Sequence, residues 1–251
     1  MKRFLGAVLV AFLMSGVSSP IRADDQDTKA ILDKAMKALG GEEKLGKATT
    51  ASWKSKGTIT FNGDDNEISI QATIQGLDHY RSEFAGQFGG NDVKGVTVLN
   101  GDKGWRKFGD NDMEMDADAV ANEKRNIYIQ AIPATLVLLK EKGFKVEAAA
   151  EEKVGDKPAV CIKVTGPDGK DFKLCFDKES GLPVRLVAKV LGFDGQEFTQ
   201  ETTYSNYKEF NGIKKATKHV SKRDGEKFVD VEITEFKVLD KVDPATFTQP
   251  K

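Results

Sequence analysis

The 251-residue chain carries 38 Lys and Arg against 39 Asp and Glu, with only two cysteines and two histidines. A balance so near neutral and so mixed in sign excludes the basic footprint of a nucleic-acid binder. Two histidines leave little material for a histidine metal site or a histidine-dependent triad.

Met1-Lys2-Arg3 supplies the positive start of a secretory signal, and Phe4 to Val17 an apolar run of signal length. About 14 residues cannot cross a ~30 Å bilayer core. That length argues against a membrane anchor, and no Cys directly follows the run, so a lipidated terminus is not expected either. Ser18-Ser19-Pro20-Ile21-Arg22-Ala23 ends it and places the expected cleavage after Ala23. Residues 1–23 therefore read as a signal peptide and residues 24–251 as one exported, periplasmic domain. The cut removes Lys2, Arg3 and Arg22 and no acid, leaving 35 basic and 39 acidic residues, a net charge of −4.

Over residues 27–39, Leu32, Ala35, Met36 and Leu39 recur at helical spacing, with Asp27 as N-cap and Gly40-Gly41 as the stop. From residue 51 the period falls to two. Trp53, Ile59 and Phe61 share a face before the turn Asn62-Gly63-Asp64-Asp65. Ile68, Ile70, Ala72 and Ile74 alternate with Ser69, Gln71 and Thr73, and Tyr80, Ser82, Phe84, Val96 and Val98 continue the pattern. Asn100-Gly101-Asp102 turns the chain into Trp105 and Phe108. This is an antiparallel meander with one apolar face.

Asp110 to Asp118 is the densest acidic stretch. A calcium-loop reading fails, because Met115 stands where Gly is needed and Ala121 where Glu is needed. The stretch reads instead as a strand with Met113 and Met115 turned inward and Asp116 or Asp118 capping the next helix. Val120, Lys124, Ile127, Tyr128 and Ala131 then make a helical stripe. Pro133 is expected to break it, with a second, Leu-rich helix from Ala134 to Lys142 ended by Gly143. Strands resume at about 144–150, 158–165, 171–177, 183–191, 197–206, 213–222 and 226–236, divided by Gly-containing turns. Such even spacing predicts one large curved sheet or barrel.

Cys161 and Cys175 lie seven residues either side of Asp168, directly opposite each other in a hairpin and on its more polar face. A cross-strand disulfide is the preferred reading in an oxidising compartment. Two free thiols are the alternative. Lys214, Lys215, Lys218, Lys222 and Arg223, with His219 among them, read as a solvated sheet face, and a contact with anionic lipid or an acidic partner is the alternative. His219 and His79 are both expected at the surface. No nucleophile elbow, metal-protease helix, phosphate loop or dinucleotide fingerprint occurs, so no catalytic residue, metal or cofactor is assigned and an enzyme is not expected. A curved sheet with one apolar face needs cover. The two helical segments either roof a hollow for an apolar ligand or fill it as core, and the sequence allows both.

Four stretches together carry a family resemblance: Ala35-Met36-Lys37-Ala38-Leu39-Gly40-Gly41-Glu42-Glu43-Lys44-Leu45; Asn100-Gly101-Asp102-Lys103-Gly104-Trp105; Leu174-Cys175-Phe176-Asp177-Lys178-Glu179-Ser180-Gly181-Leu182-Pro183-Val184; and Tyr204-Ser205-Asn206-Tyr207-Lys208-Glu209-Phe210-Asn211-Gly212-Ile213, continuing to Asp243-Pro244 and Phe247. The chain resembles the periplasmic lipoprotein-carrier (LolA/LolB-like) superfamily, in particular its planctomycete-type relatives. The resemblance implies a mainly β fold: a curved antiparallel half-barrel of about eleven strands with a few short helices covering its mouth. It further implies a soluble, monomeric carrier of lipid or acylated protein, with envelope membrane proteins as further partners. Inward parity then nominates Trp53, Ile59, Phe61, Ile68, Ile70, Ile74, Trp105 and Phe108 as the ligand wall, with Ile127, Leu136 and Leu139 from the lid and Pro133 and Gly143 as its hinges. The other reading is a non-enzymatic envelope scaffold with a filled core and no lipid cargo.

Overall fold

The computed structural model describes residues 23–192 and 195–250. The signal peptide expected over residues 1–23 lies, Ala23 apart, outside them. Six strands form a first meander: β1 (Thr50–Phe61), β2 (Asp64–Gln75), β3 (His79–Phe88), β4 (Asn91–Asn100), β5 (Lys103–Phe108) and β6 (Asn111–Glu114). Seven form a second: β7 (Lys145–Val154), β8 (Lys157–Thr165), β9 (Asp171–Asp177), β10 (Pro183–Leu191), β11 (Glu197–Phe210), β12 (Ile213–Arg223) and β13 (Glu226–Val238). β1 pairs antiparallel with β13, which joins the meanders into one 13-stranded open sheet edged by β6 and β7. The strand count exceeds the eleven that the resemblance implies.

Because the two edges are consecutive in sequence, the segment between them has to cross the sheet. It carries helix α3 (Ala117–Thr135) and a 3-10 turn, Val137–Lys140. α3 packs against β4 and β5 at one side and β10 at the other. In a flat sheet β4 and β10 would stand about 34 Å apart, at ~4.8 Å per strand. The sheet therefore curls around the helix, and α3 lies on the concave side with α1 (Ala23–Leu39) and α2 (Glu42–Lys47) beside it.

Several local expectations change. α1 starts at Ala23, so Asp27 lies within the helix rather than capping it. Pro133 sits inside α3, and the break comes at Leu136, whose φ of 58° is left-handed. Ile129, Ile132 and Leu136 are all buried, and that packing holds the helix through the proline despite its missing N–H. The expected second helix is a single 3-10 turn. Asp116 caps α3 by accepting from the Ala119 amide at 2.8 Å. Met115 is buried, but Met113 is 61% exposed. Strand β6 ends at Glu114, so the alternation that would have paired the two methionines stops between them.

Two apolar clusters fill the concave side. One packs Ala35, Met36 and Leu39 of α1, Leu45 of α2 and Ile129 and Ile132 of α3 onto Ile162, Val164, Phe172, Leu174, Phe176, Leu186 and Val190 of β8–β10. Gly40, at φ +129°, closes α1 against the β11–β12 turn, where a Cβ would stand 2.2 Å from the Gly212 carbonyl oxygen. The second cluster packs Val120 and Ile127 of α3 onto Ala51, Ala72, Ile74, Tyr80 and Leu99 of β1–β4. On the opposite face of β8 and β9, Cys161 and Cys175 are register partners and form a disulfide. Both are fully buried, with Ala149 and Val154 of the bulged strand β7 and Val184 of β10 packed against them. The Glu152 carboxylate lies beside the bridge and pairs with Lys173 and Arg185. Since both sulfurs are in the bridge, Glu152, Cys161 and Cys175 do not form a thiolate metal site.

Candidate functional site

Between the two clusters the concave side is not filled. A hollow of about 320 Å³ remains over β1, β2, β11, β12 and β13, roofed by α3. Its position follows from side-chain size. Ala48, Ala51 and Ser55 line one wall, Thr202 and Ser221 the other, and Ala131 and Ala134 the roof. Where β8–β10 present Phe and Leu to the helices, these positions present small residues that stop short of α3. Trp53, Ile70, Ile74, Val231 and Ile233 make the apolar part of the remaining wall.

The roof is fixed by polar contacts at both flanks. Arg125, 2% exposed, donates from Nε to the Lys189 carbonyl at 2.9 Å and from Nη2 to the Asp171 carbonyl at 3.0 Å. Its Nη1 pairs with Asp168 at 3.1 Å, and the Tyr128 hydroxyl donates to the same carboxylate at 2.8 Å. This network ties α3 to the β8–β9 turn. At the other flank Glu123 pairs with Arg106 of β5 at 2.9 Å, and Gln130 accepts from the Tyr80 hydroxyl at 3.4 Å. An isolated helix end would fray; this one is clamped at three points along its length.

Strand β12 places Lys215, His219 and Arg223 in the hollow's wall. Spacing of four along a strand returns each to the same face. Lys215 is 8% exposed, with Nζ 4.8 Å from the Phe236 ring centre and 5.8 Å from that of Trp53. Desolvation lowers its pKa to about 8. His219 stacks edge-on to Tyr204 and bonds through Nε2 to the Ala216 carbonyl oxygen at 3.2 Å. Burial, reinforced by the Lys215 charge, pushes its imidazole down to about 3. Burial raises the Tyr204 phenol, so it stays protonated. Arg223 donates from Nε to Gln200 at 3.2 Å and stacks on Phe228 at 3.6 Å. The expectation that His219 is a surface residue is corrected: its imidazole faces the hollow. So is the reading of the basic run as a uniformly solvated face. Lys214 and Lys222 are exposed, while Lys215 is buried.

The nominated wall residues separate into three groups. Trp53, Ile70 and Ile74 line the hollow. Ile68, Ile127, Leu136 and Leu139 are buried, with Ile127 packed in the second cluster and Leu136 and Leu139 in the first. Ile59 and Trp105 are half-buried, while Phe61 and Phe108 are 57% and 38% exposed; none of these four lines the hollow. Inward parity found the correct face along much of β1 and β2 but not the place along the strands where packing fails. The sequence reading does not single out the small residues, and it places the β12 basic run on a solvated face rather than in the wall. The signal for them was present, since Lys215, His219 and Arg223 share the parity of buried Ile213.

No family model and no curated protein matches the sequence. Solved structures do match. A LolA superfamily protein from Nitrosomonas europaea superposes with a TM-score of 0.59 over 88% of this chain and 97% of its own, at 12% identity. The fold is LolA-like. A putative outer membrane lipoprotein-sorting protein domain from Vibrio parahaemolyticus reaches 0.54 over 88% and 96%, at 8% identity. A DUF1329 family protein from Desulfovibrio piger reaches 0.54 over 88% and 97%, at 13% identity. At these identities the likeness is one of architecture, and the LolA-like sheet hosts whatever site its own side chains build. No helix among the described residues is long and apolar enough to cross a membrane.

Proposed function

We propose that this protein is a non-enzymatic, monomeric periplasmic carrier that binds a lipid or the acyl chain of a lipoprotein in the hollow beneath α3. The observation that supports this most is the gap itself. Two well-packed clusters flank a cavity of about 320 Å³, within the range of small-molecule sites, roughly 300–1,000 Å³. A domain built only as a scaffold gains nothing from small inward residues at its centre, because an unfilled void forfeits packing energy. The lipoprotein-sorting domain from Vibrio parahaemolyticus accords with the same use of the fold. Trp53, Ile70 and Ile74 are the nominated residues that would touch the ligand, and each buried methylene would contribute about 0.8 kcal/mol. Arg125 ties the body of α3 down, so release would proceed by movement of residues 136–143, between the left-handed Leu136 and Gly143.

Native mass spectrometry of the protein purified gently from a bacterial periplasm, before and after solvent extraction, tests the reading. A mass raised by one lipid and lost on extraction is expected. A bare polypeptide mass that stays unchanged after incubation with phospholipid vesicles would overturn it in favour of the filled scaffold.

A further inference from the structure

The hollow is charged on one side only. Not one of its lining residues is Asp or Glu, yet Lys215, His219 and Arg223 all face it. This is the reverse of the whole chain, where acids outnumber bases. Arg223 is provided for by Gln200 and by the Phe198 and Phe228 rings. Lys215 is not: it is more than nine-tenths buried, and among the described residues its ammonium has no ion pair, only the ring faces of Trp53 and Phe236 as cation partners. A desolvated ammonium without a counter-charge opposes folding, and ring faces offset only part of that. A hydrophobic residue of equal length would pack there at no such penalty. The charge is retained at the wall of a cavity, where a ligand can reach it.

We infer that the hollow takes a single-chain anionic amphiphile, with its carboxylate or phosphate head paired to Lys215 and its tail laid along Ile70, Ile74, Val231 and Ile233. The inference rests on the carrier reading above and specifies its ligand. Tyr204 and Gln130, which share the cavity wall around Lys215, supply neutral polar groups for the remaining head-group oxygens. The volume, at the low end for a small-molecule site, accommodates one chain rather than several. Uptake of an anion also relieves the unpaired lysine, so ligand and site neutralise each other in a low-dielectric setting where the pairing is strong.

Calorimetric titration of the delipidated protein with palmitate, hexadecyl phosphate and hexadecanol, which share one chain and differ in head, tests this. Palmitate or hexadecyl phosphate is expected to bind at least tenfold more tightly than hexadecanol at pH 7. The stronger of the two acids shows whether the natural head is a carboxylate or a phosphate. In Lys215→Met the anionic advantage is expected to vanish while hexadecanol binding is kept. That variant should melt no lower than the parent, which separates lost recognition from lost folding. Equal affinity for hexadecanol and the acids in the parent, or an anionic preference that survives Lys215→Met, would overturn the head-group assignment and leave the carrier reading standing. Failure of all three ligands to bind would overturn both.

Discussion

The β8–β10 flank and the β12–β13–β1 centre are built from the same alternating strands, yet one is packed solid and the other is hollow. On the flank, inward positions hold Ile162, Val164, Phe172, Leu174, Phe176 and Leu186, each at most 2% exposed, and the helices close over them without residue. At the centre, inward positions hold Ala51, Ser55, Thr202 and Ser221 beside Lys215 and His219, and α3 bridges over a gap. Alternation alone sets which face a side chain takes. Its volume and polarity decide whether that face becomes core or cavity.

That difference has a direct energetic test. Phe176→Ala should destabilise the protein by about 3–5 kcal/mol, as expected for an aromatic removed from a closed core. Ile70→Ala, at the wall of a space already empty, should lower stability by roughly 1 kcal/mol or less, since little new cavity is made. The same Ile70→Ala should weaken binding of a long-chain ligand several-fold, where Phe176→Ala in its folded fraction should not. Urea denaturation and ligand titration on both variants give the four numbers. Similar stability losses at the two sites would mean that the centre is as tightly packed as the flank.

The flank is also stapled and the centre is not. The Cys161–Cys175 bridge spans 14 residues, and closing a loop of that size is worth about 3 kcal/mol in the unfolded-chain account. Replacing both cysteines with Ala should therefore lower stability by roughly 2–3 kcal/mol by urea denaturation. Ligand affinity should stay within twofold, because the bridge lies on the face of β8–β9 away from the helices. A parallel loss of affinity would show that the hollow depends on the flank's rigidity.

How much of this was legible beforehand follows from the same contrast. Strand positions, the single sheet and the cysteine pairing come from local signals, a period of two and turn residues at fixed offsets. The hairpin around Asp168 put Cys161 opposite Cys175 by counting alone. The hollow does not yield to counting, because it depends on which distant residues share a layer. Lys215 and Lys218 look alike in the sequence, but Lys218 meets Asp230 on the sheet's outer side and Lys215 meets two aromatic rings. Pro133 misled because its effect was judged locally, whereas the burial of Ile132 and Leu136 is a tertiary matter. Had the inward parity of β12 been followed from Ile213, a line of basic residue types on the core face would have marked the site.

His219 supplies the smallest effect and the most specific one. Its imidazole is held near 3 by desolvation and by the Lys215 charge, against an ordinary value of about 6.5. Tyr204, Tyr207, Lys214, Lys215 and Arg223 are the titratable or charged groups around it, and none is a carboxylate that would favour its protonation. Between pH 6.5 and 3 the unfolded chain therefore binds a proton that the folded chain refuses. Stability falls as pH drops through that window and is unaffected by this group above it. Carboxylates held low by their partners, such as Asp177, lose their contribution only below about pH 4, while Glu141, raised by burial, acts in the opposite sense at the acid end, so the difference between parent and histidine variant from pH 6.5 to 4.5 isolates the imidazole. Since His219 is only partly buried, the decline across that interval should be about 1–2 kcal/mol. His219→Gln should flatten it in a urea series at fixed ionic strength. If the slope persists in the variant, the imidazole is solvated, and the centre of the sheet is wetter than its aromatic lining implies.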